Sequence, residues 1–228
     1  FLLFLIIIQM ISTGLQKLDE FLSGGIPPGV IVDIFGGAGT GKTQLLLQLS
    51  INSIKNGGHV LYFDTTGEFR PERVLEIQKQ TETQLNFLKQ ITVSRITNTS
   101  EQIKSIKNIQ NNNFSLIVID NVTDLFSYEY QKDESTLEKN SLFMKYMNDL
   151  SKLAITNKIP IILTNMIRNI GDKEIENMKG AIDPFTHIKI HLFKNSTKFS
   201  GKIYWAFDKK SFSYTIGKMG LSDYTEDF

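Results

Sequence analysis

The segment Gly36-Gly37-Ala38-Gly39-Thr40-Gly41-Lys42-Thr43 constrains this chain more than any other. It fits the pattern G-x-x-x-x-G-K-[ST] in full, and the chemistry explains each residue type. Glycines let backbone N–H groups turn inward around phosphate oxygens. The lysine ammonium reaches the β- and γ-phosphates, and the threonine hydroxyl ligates Mg²⁺. The surroundings agree with this reading. Val30 to Phe35 reads as a buried strand leading in, and roughly Lys42 to Asn56 as a helix leading out. The positive end of that helix then faces the anion. A chance glycine turn would lack this strand–loop–helix frame.

A phosphate loop of this kind needs an acid at the end of a neighbouring buried strand to hold Mg²⁺ through water. Asp120 closes the apolar run Leu116-Ile117-Val118-Ile119 and is the natural choice; Asp64, after Val60-Leu61-Tyr62-Phe63, is the weaker competitor. Further elements follow the same alternation. Thr13 to Leu22 reads as a short amphipathic helix, and Pro71 as the first residue of another. Ile91 to Ile96 reads as a strand, with Ser100 capping a helix to about Gln110. A long helix spans about Thr136 to Asn157, a strand Ile159 to Thr164, and a charged loop Arg168 to Lys179. The last forty or so residues alternate over Thr186–Phe193, Lys202–Phe207 and Phe212–Ile216, which predicts antiparallel strands. The expected fold is a three-layer α/β domain with a mainly parallel central sheet and C-terminal antiparallel strands.

Composition narrows the function classes. The 228 residues include no cysteine, which excludes disulfide scaffolds, cysteine-ligated zinc and thiol catalysis. Twenty-five basic residues face 24 acidic ones, so the whole-chain charge gives no nucleic-acid signal. The apolar run Phe1 to Ile8 is too short to span a membrane and lacks the flanks of a signal peptide. Residues 1–11 are expected to be a disordered or artefactual extension, and 12–228 a single cytoplasmic core domain with no membrane contact.

Ser12-Thr13-Gly14, Leu18-Asp19, Gly24-Gly25-Ile26 and the phosphate loop running on into Gln44 resemble the core of the RecA/RadA recombinase family. Phe69-Arg70-Pro71-Glu72-Arg73 is similar to the signature after the second core strand in the archaeal and eukaryotic branch. Phe126, Glu129-Tyr130 and Leu137 resemble its first DNA-loop region, and Thr164-Asn165 its sensor strand. The likeness runs from about Ser12 to Asp223. It implies a P-loop NTPase core of the RecA type that binds ATP and Mg²⁺, with Arg73 packed on the adenine. Three departures stand out. Thr66 occupies the place of the family's catalytic glutamate, leaving Glu68 two residues on as the candidate; Met166 stands where a phosphate-sensing glutamine is expected; and Gln131-Lys132-Asp133-Glu134 replaces a glycine–arginine–glycine. The family's N-terminal helix-hairpin-helix domain and the linker aromatic that docks on the next subunit are also expected to be absent. A core-only chain with these changes is most similar to the RadB-type paralogues that assist the main recombinase.

The resemblance therefore implies an ATP-binding, DNA-binding accessory protein of recombination and repair with weak hydrolysis. Its expected partners are single-stranded or branched DNA, a RadA-type recombinase, and further copies of itself. The alternatives are a KaiC-like signalling ATPase without a DNA role, and a binding module in which ATP only fixes conformation, which Thr66 and Met166 favour. Charge supports a DNA role locally: between His187 and Lys218 there are seven lysines and one acid, Asp208, leaving 18 basic and 23 acidic residues elsewhere. Phe193, Phe199, Tyr204, Trp205 and Phe207 interleave with them. Lysines that track phosphates beside rings that stack on bases suit single-stranded DNA, and Lys202, Lys209 and Lys210 are the candidates. The competing reading is a solvated hairpin face over a packed aromatic underside. His187 and His191 have no third ligand of suitable type nearby and read as structural or surface histidines.

Overall fold

The computed structural model describes residues 9–81, 84–109, 113–131, 136–170 and 173–224. The elements are α1 (Gln16–Phe21), β1 (Ile31–Gly36), α2 (Lys42–Lys55), β2 (Val60–Asp64), α3 (Pro71–Gln80), β3 (Ile91–Arg95), α4 (Thr99–Ser105) and β4 (Leu116–Asp120). They continue with α5 (Asp124–Glu129), α6 (Thr136–Asn157), β5 (Ile161–Ile170), β6 (Lys173–Glu176), α7 (Lys179–Ile182), β7 (Ile188–Asn195), β8 (Lys198–Trp205), β9 (Asp208–Gly217) and β10 (Gly220–Asp223). None of the helices is long and apolar enough to cross a membrane.

The sheet runs β10-β9-β8-β7-β1-β5-β4-β2-β3, with β6 paired to β5. Strands β3, β2, β4, β5, β1 and β7 are parallel; β8, β9 and β10 continue antiparallel from β7. Side chains alternate between faces. Val32, Ile34, Val60, Tyr62, Val118 and Ile162 enter one core with α1, α2 and α3. Ile31, Leu61, Phe63, Ile117, Ile119 and Leu163 enter a second with α4–α7. The three-layer α/β fold with a mainly parallel sheet is present. Strands β7–β9 contribute Ile190, Ile203 and Phe212 to the first core, whereas the second takes no buried residue from them among the described residues.

Several boundaries move for local reasons. Ile11, assigned to the extension, is buried and exchanges hydrogen bonds with Ile26 (2.9 and 2.8 Å); residues 1–8 lie outside the described residues. The first helix begins only at Gln16, because Asp19 gathers the preceding turn, accepting from Ser12 Oγ (2.5 Å), Thr13 N and Thr13 Oγ1 (both 2.7 Å). Ser100 is not the cap of α4. Asn98 takes that role, its side chain accepting from Glu101 N at 2.9 Å, and the helix gives way to a 3₁₀ turn at Ile106. Arg168 to Lys179 is not a plain loop: β5 runs on to Ile170 and turns back into β6, with Arg168 opposite Ile175. Phe207 leaves its strand for the β8–β9 turn at φ +67° and is fully exposed.

Charge pins that hairpin down. Lys189 on β7 meets Glu176 and Asp183 and lies 3.5 Å from the fully buried Asp33 of β1. Burial would drive the Lys189 ammonium down, but Asp33, Asp183 and Glu176 together hold its pKa up. Burial, reinforced by Glu176, holds the Asp33 carboxyl well above the usual range.

Candidate nucleotide site

Strands β1 and β4 both flank β5, so the loop after β1 and the acid ending β4 meet across one intervening strand. Open α/β sheets place ligand crevices at such carboxyl ends. The cavity here holds about 610 Å³ and is lined by Ala38, Gly39, Gly41, Lys42, Thr43 and Gln44 from the loop side. Thr66, Glu68, Phe69, Arg70 and Arg73 close a second side, and Asp120, Asn121, Asp124 and Met166 a third.

In the loop, Gly36, Gly39 and Gly41 take positive φ (155°, 72° and 92°), which the glycines permit and the winding requires. Gly37 accepts from Thr40 Oγ1 at 2.9 Å. Lys42 Nζ donates to Gly36 O (2.9 Å) and Gly37 O (2.8 Å), so the ammonium lies along its own loop. Burial lowers its pKa, with Asp120, Asp124 and Glu68 opposing.

Asp120 accepts three side-chain hydrogen bonds. Thr43 Oγ1 (3.0 Å) and Tyr62 Oη (2.9 Å) donate to one of its oxygens, and Thr164 Oγ1 donates to the other. The Thr43–Asp120 contact is the donor pair that a water-mediated Mg²⁺ site requires, and these residues fit the ion. Among the described residues no three His, Cys, Asp or Glu side chains converge to cage a metal. Asp64, the competing acid, has another task. It accepts from Gly67 N (2.7 Å), Glu68 N (3.2 Å), Phe69 N (3.4 Å) and Thr66 Oγ1 (3.2 Å), and so organises the turn before α3.

Arg73 lies at the cavity's far end. Its Nε donates to Gln44 Oε1 (3.0 Å), one guanidinium nitrogen pairs with Glu76 (2.8 Å), and the other donates to Gly217 O (2.8 Å). This ties α3 to the end of β9. Glu68 lines the rim with its side chain exposed. Met166 lines the opposite wall, and a thioether has no N–H to offer a phosphate.

Tyr62 and Asp124 are among the site residues that escape a reading of the sequence, as is Asn121 on the cavity wall. Tyr62 hides in an apolar strand, though a hydroxyl there needs a partner, and that need was the available signal. Asp124 is half-buried on the cavity wall. Burial and then Asp120 raise its pKa, against Lys42 and Arg168.

The lysine candidates do not form one patch. Lys202 stands on the face opposite the first core, with its ammonium 5.2 Å from the Phe193 ring centroid, and Lys209 shares that face over Tyr204 at 5.4 Å. Lys210 pairs across from the buried Ile203, so it points to the other face, 4.8 Å over Phe21 of α1. Trp205 packs edge-on to Phe21. His187 Nδ1 accepts from Ile31 N (3.1 Å), and His191 stacks on Phe35 (centroids 4.6 Å, 2° apart). Glu129 accepts from Thr99 N at 2.9 Å, while Leu137 is exposed; Lys132 to Glu134 lie outside the described residues.

The Rad51 family model matches residues 6–190. A DNA repair and recombination protein RadA of Cenarchaeum symbiosum is 35% identical over 176 residues, covering 72% of this chain and 44% of the relative. RadB of Thermococcus onnurineus is 36% identical over 174 residues, covering 75% of this chain and 74% of the relative. RadA of Aeropyrum pernix is 33% identical over 171 residues, covering 70% and 54%. The chain thus spans about half the length of these RadA relatives. The family match ends within β7, so Lys202, Lys209 and Lys210 fall beyond it.

Proposed function

The chain belongs to the Rad51 family of RecA-like recombination and repair proteins, and from that premise we propose that it is a RadB-type accessory protein of the cytoplasm that binds ATP and DNA and hydrolyses ATP weakly. The observation that carries the nucleotide half is the Thr43–Asp120 contact at 3.0 Å beside Lys42, inside a cavity walled by the glycine loop. In this reading the backbone N–H groups of Gly36 to Thr43 hold phosphate oxygens, and Lys42 leaves its carbonyl partners for the β- and γ-phosphates. Gln44 and Arg73 receive the base. Mg²⁺, when bound, neutralises phosphate charge, and Thr43 with Asp120 are the residues that hold it, Asp120 through water. Glu68 stands at the rim as one carboxylate available to water.

Weak turnover follows from Thr66 and Met166, neither of which reproduces the hydrogen bonding of the residue expected there. The DNA half rests on Lys202 and Lys209, each beside an aromatic ring on one sheet face, with Lys210 a separate contact. Single-stranded or branched DNA, a RadA-type recombinase and further copies of this chain are the proposed partners. The KaiC-like alternative draws no support from the Rad51 match.

Titration calorimetry with ATP and Mg²⁺ on Lys42→Ala tests the site. Losing a charge-assisted contact costs ~1.5–3 kcal/mol, or about one to two decades in affinity. Unchanged affinity would remove the phosphate loop from the binding site.

A further inference from the structure

Three carboxylates share the cavity wall, and their circumstances differ. Both oxygens of Asp120 already accept from the hydroxyls of Thr43, Tyr62 and Thr164. Glu68 carries its side chain in solvent. Asp124 is half-buried, and its carboxylate makes no hydrogen bond among the described residues. It sits at the phosphate end, where its charge interacts with Lys42, Asp120, Glu68 and, from β5, Arg168, and not at the Arg73 end.

A carboxylate with two uncommitted oxygens repels phosphate, so it is not a phosphate ligand. It accepts hydrogen bonds, and the donor available at the phosphate end of a nucleotide site is water. Its place, beside Lys42 and on the wall that Met166 shares, is where such a water would meet the terminal phosphoryl group. We propose that Asp124 is the residue that orients the attacking water, filling the role vacated at Thr66. The inference rests on the nucleotide reading above. In the step, the water oxygen bonds to the γ-phosphorus and the bridging P–O bond breaks with its electron pair going to ADP. Asp124 accepts the hydrogen bond of the water proton, which is finally released to solvent.

Steady-state ATP turnover and calorimetry with a non-hydrolysable ATP analogue plus Mg²⁺ are measured together on wild type, Asp124→Asn and Glu68→Gln. Water-orienting groups are worth about 10²–10⁴-fold, so Asp124→Asn should lose at least ~10²-fold in kcat. Its analogue affinity should stay within about 3-fold or tighten, because a like charge has gone. Thr66→Glu in the Asp124→Asn background should recover turnover. Undiminished kcat in Asp124→Asn, or the main loss appearing in Glu68→Gln, overturns the proposal. So does a ten-fold or greater loss of analogue affinity in Asp124→Asn, which would make Asp124 a binding or structural residue, and so does wild type that binds the analogue without turning ATP over. Wild type that binds no analogue refutes the nucleotide reading itself.

Discussion

Gln48, on the second turn of α2, is held where the chain's beginning and end meet. Its Nε2 donates to Thr13 O (2.8 Å) and Leu221 O (3.0 Å), and its Oε1 accepts from Leu221 N (2.7 Å). It is 9% exposed, and a Cβ on either Gly14 or Gly220 would come within 2.2 Å of its amide, so both glycine turns close tightly on it. Gln48→Ala deletes three buried hydrogen bonds at about 1 kcal/mol each. The total is ~3 kcal/mol, which for a domain of this size lowers Tm by roughly 6–12 °C. Gln48→Met keeps the length and isolates the hydrogen-bond part; Gln48→Glu sets a carboxylate against two carbonyls and should be at least as damaging. Urea unfolding of the three variants measures the effect. Gly217, the acceptor for Arg73, ends β9 and pairs with Gly220 of β10, so nucleotide affinity should fall in parallel. A loss below ~1 kcal/mol in both Gln48→Ala and Gln48→Met would refute the assigned role, since one buried bond alone is worth about that much.

Thr66→Glu should raise ATP turnover, on the scale of ~10²-fold for a restored water-positioning carboxylate; a wild-type rate already brisk, and collapsing in Glu68→Gln, would show that the site is not crippled. Alanine at both Lys202 and Lys209 should weaken single-stranded DNA binding regardless of sequence and flatten log K against log salt by ~1.4, read by fluorescence anisotropy; an unchanged slope and affinity would remove this sheet face from the DNA site. Lys210→Ala should do less, because Lys210 lies over Phe21 on the opposite face. His191 has its pKa lowered by burial and then by Lys202, so the folded state binds its proton less readily than the unfolded state. Its stabilising share is present above the unfolded value near 6.5 and lost as pH falls through the folded one; thermal melts from pH 7 to 5 should be flatter in His191→Gln than in wild type.

Much of the fold was legible because it rests on local pattern. Continuous apolar runs announced β2 and β4, which are buried on both faces. Pro71 does occupy the first turn of α3. The phosphate loop was legible for the same reason: its residue types are dictated by close contact with phosphate, and its frame is contiguous in sequence. Failures came where a tertiary partner decided. The cap of α4 is a local exception: Asn98 accepts from Glu101 N (2.9 Å) while the Glu101 side chain accepts from Thr97 N and Oγ1 (both 3.0 Å), a pairing Ser100 does not make. The β5–β6 hairpin is tied at Glu176, which pairs with Lys189 of β7 and accepts from Asn165 Nδ2 of β5 at 3.2 Å. Charge counts grouped Lys202, Lys209 and Lys210, but the strand register sends Lys210 to the other face.

The turn after β2 shows how the departures fit together. Asp64 holds that turn by accepting from three backbone N–H groups, those of Gly67, Glu68 and Phe69. Thr66 adds a fourth contact with its hydroxyl, at 3.2 Å. The side chain at position 66 is therefore turned toward Asp64, although the residue lines the cavity. Glutamate there cannot donate to Asp64 and would be repelled by it, so the longer side chain is directed outward into the cavity. The three backbone donors do not depend on the residue type, and the turn persists. Thr66→Glu is thus a fair test of a carboxylate at this position: it exchanges two weak hydroxyl contacts, with Asp64 (3.2 Å) and Glu68 N (3.3 Å), each worth about 0.5–1.5 kcal/mol, for a group aimed at the phosphates. If the variant folds as wild type and binds nucleotide, yet its turnover does not rise, position 66 does not limit the rate, as expected where Asp124 already orients the water.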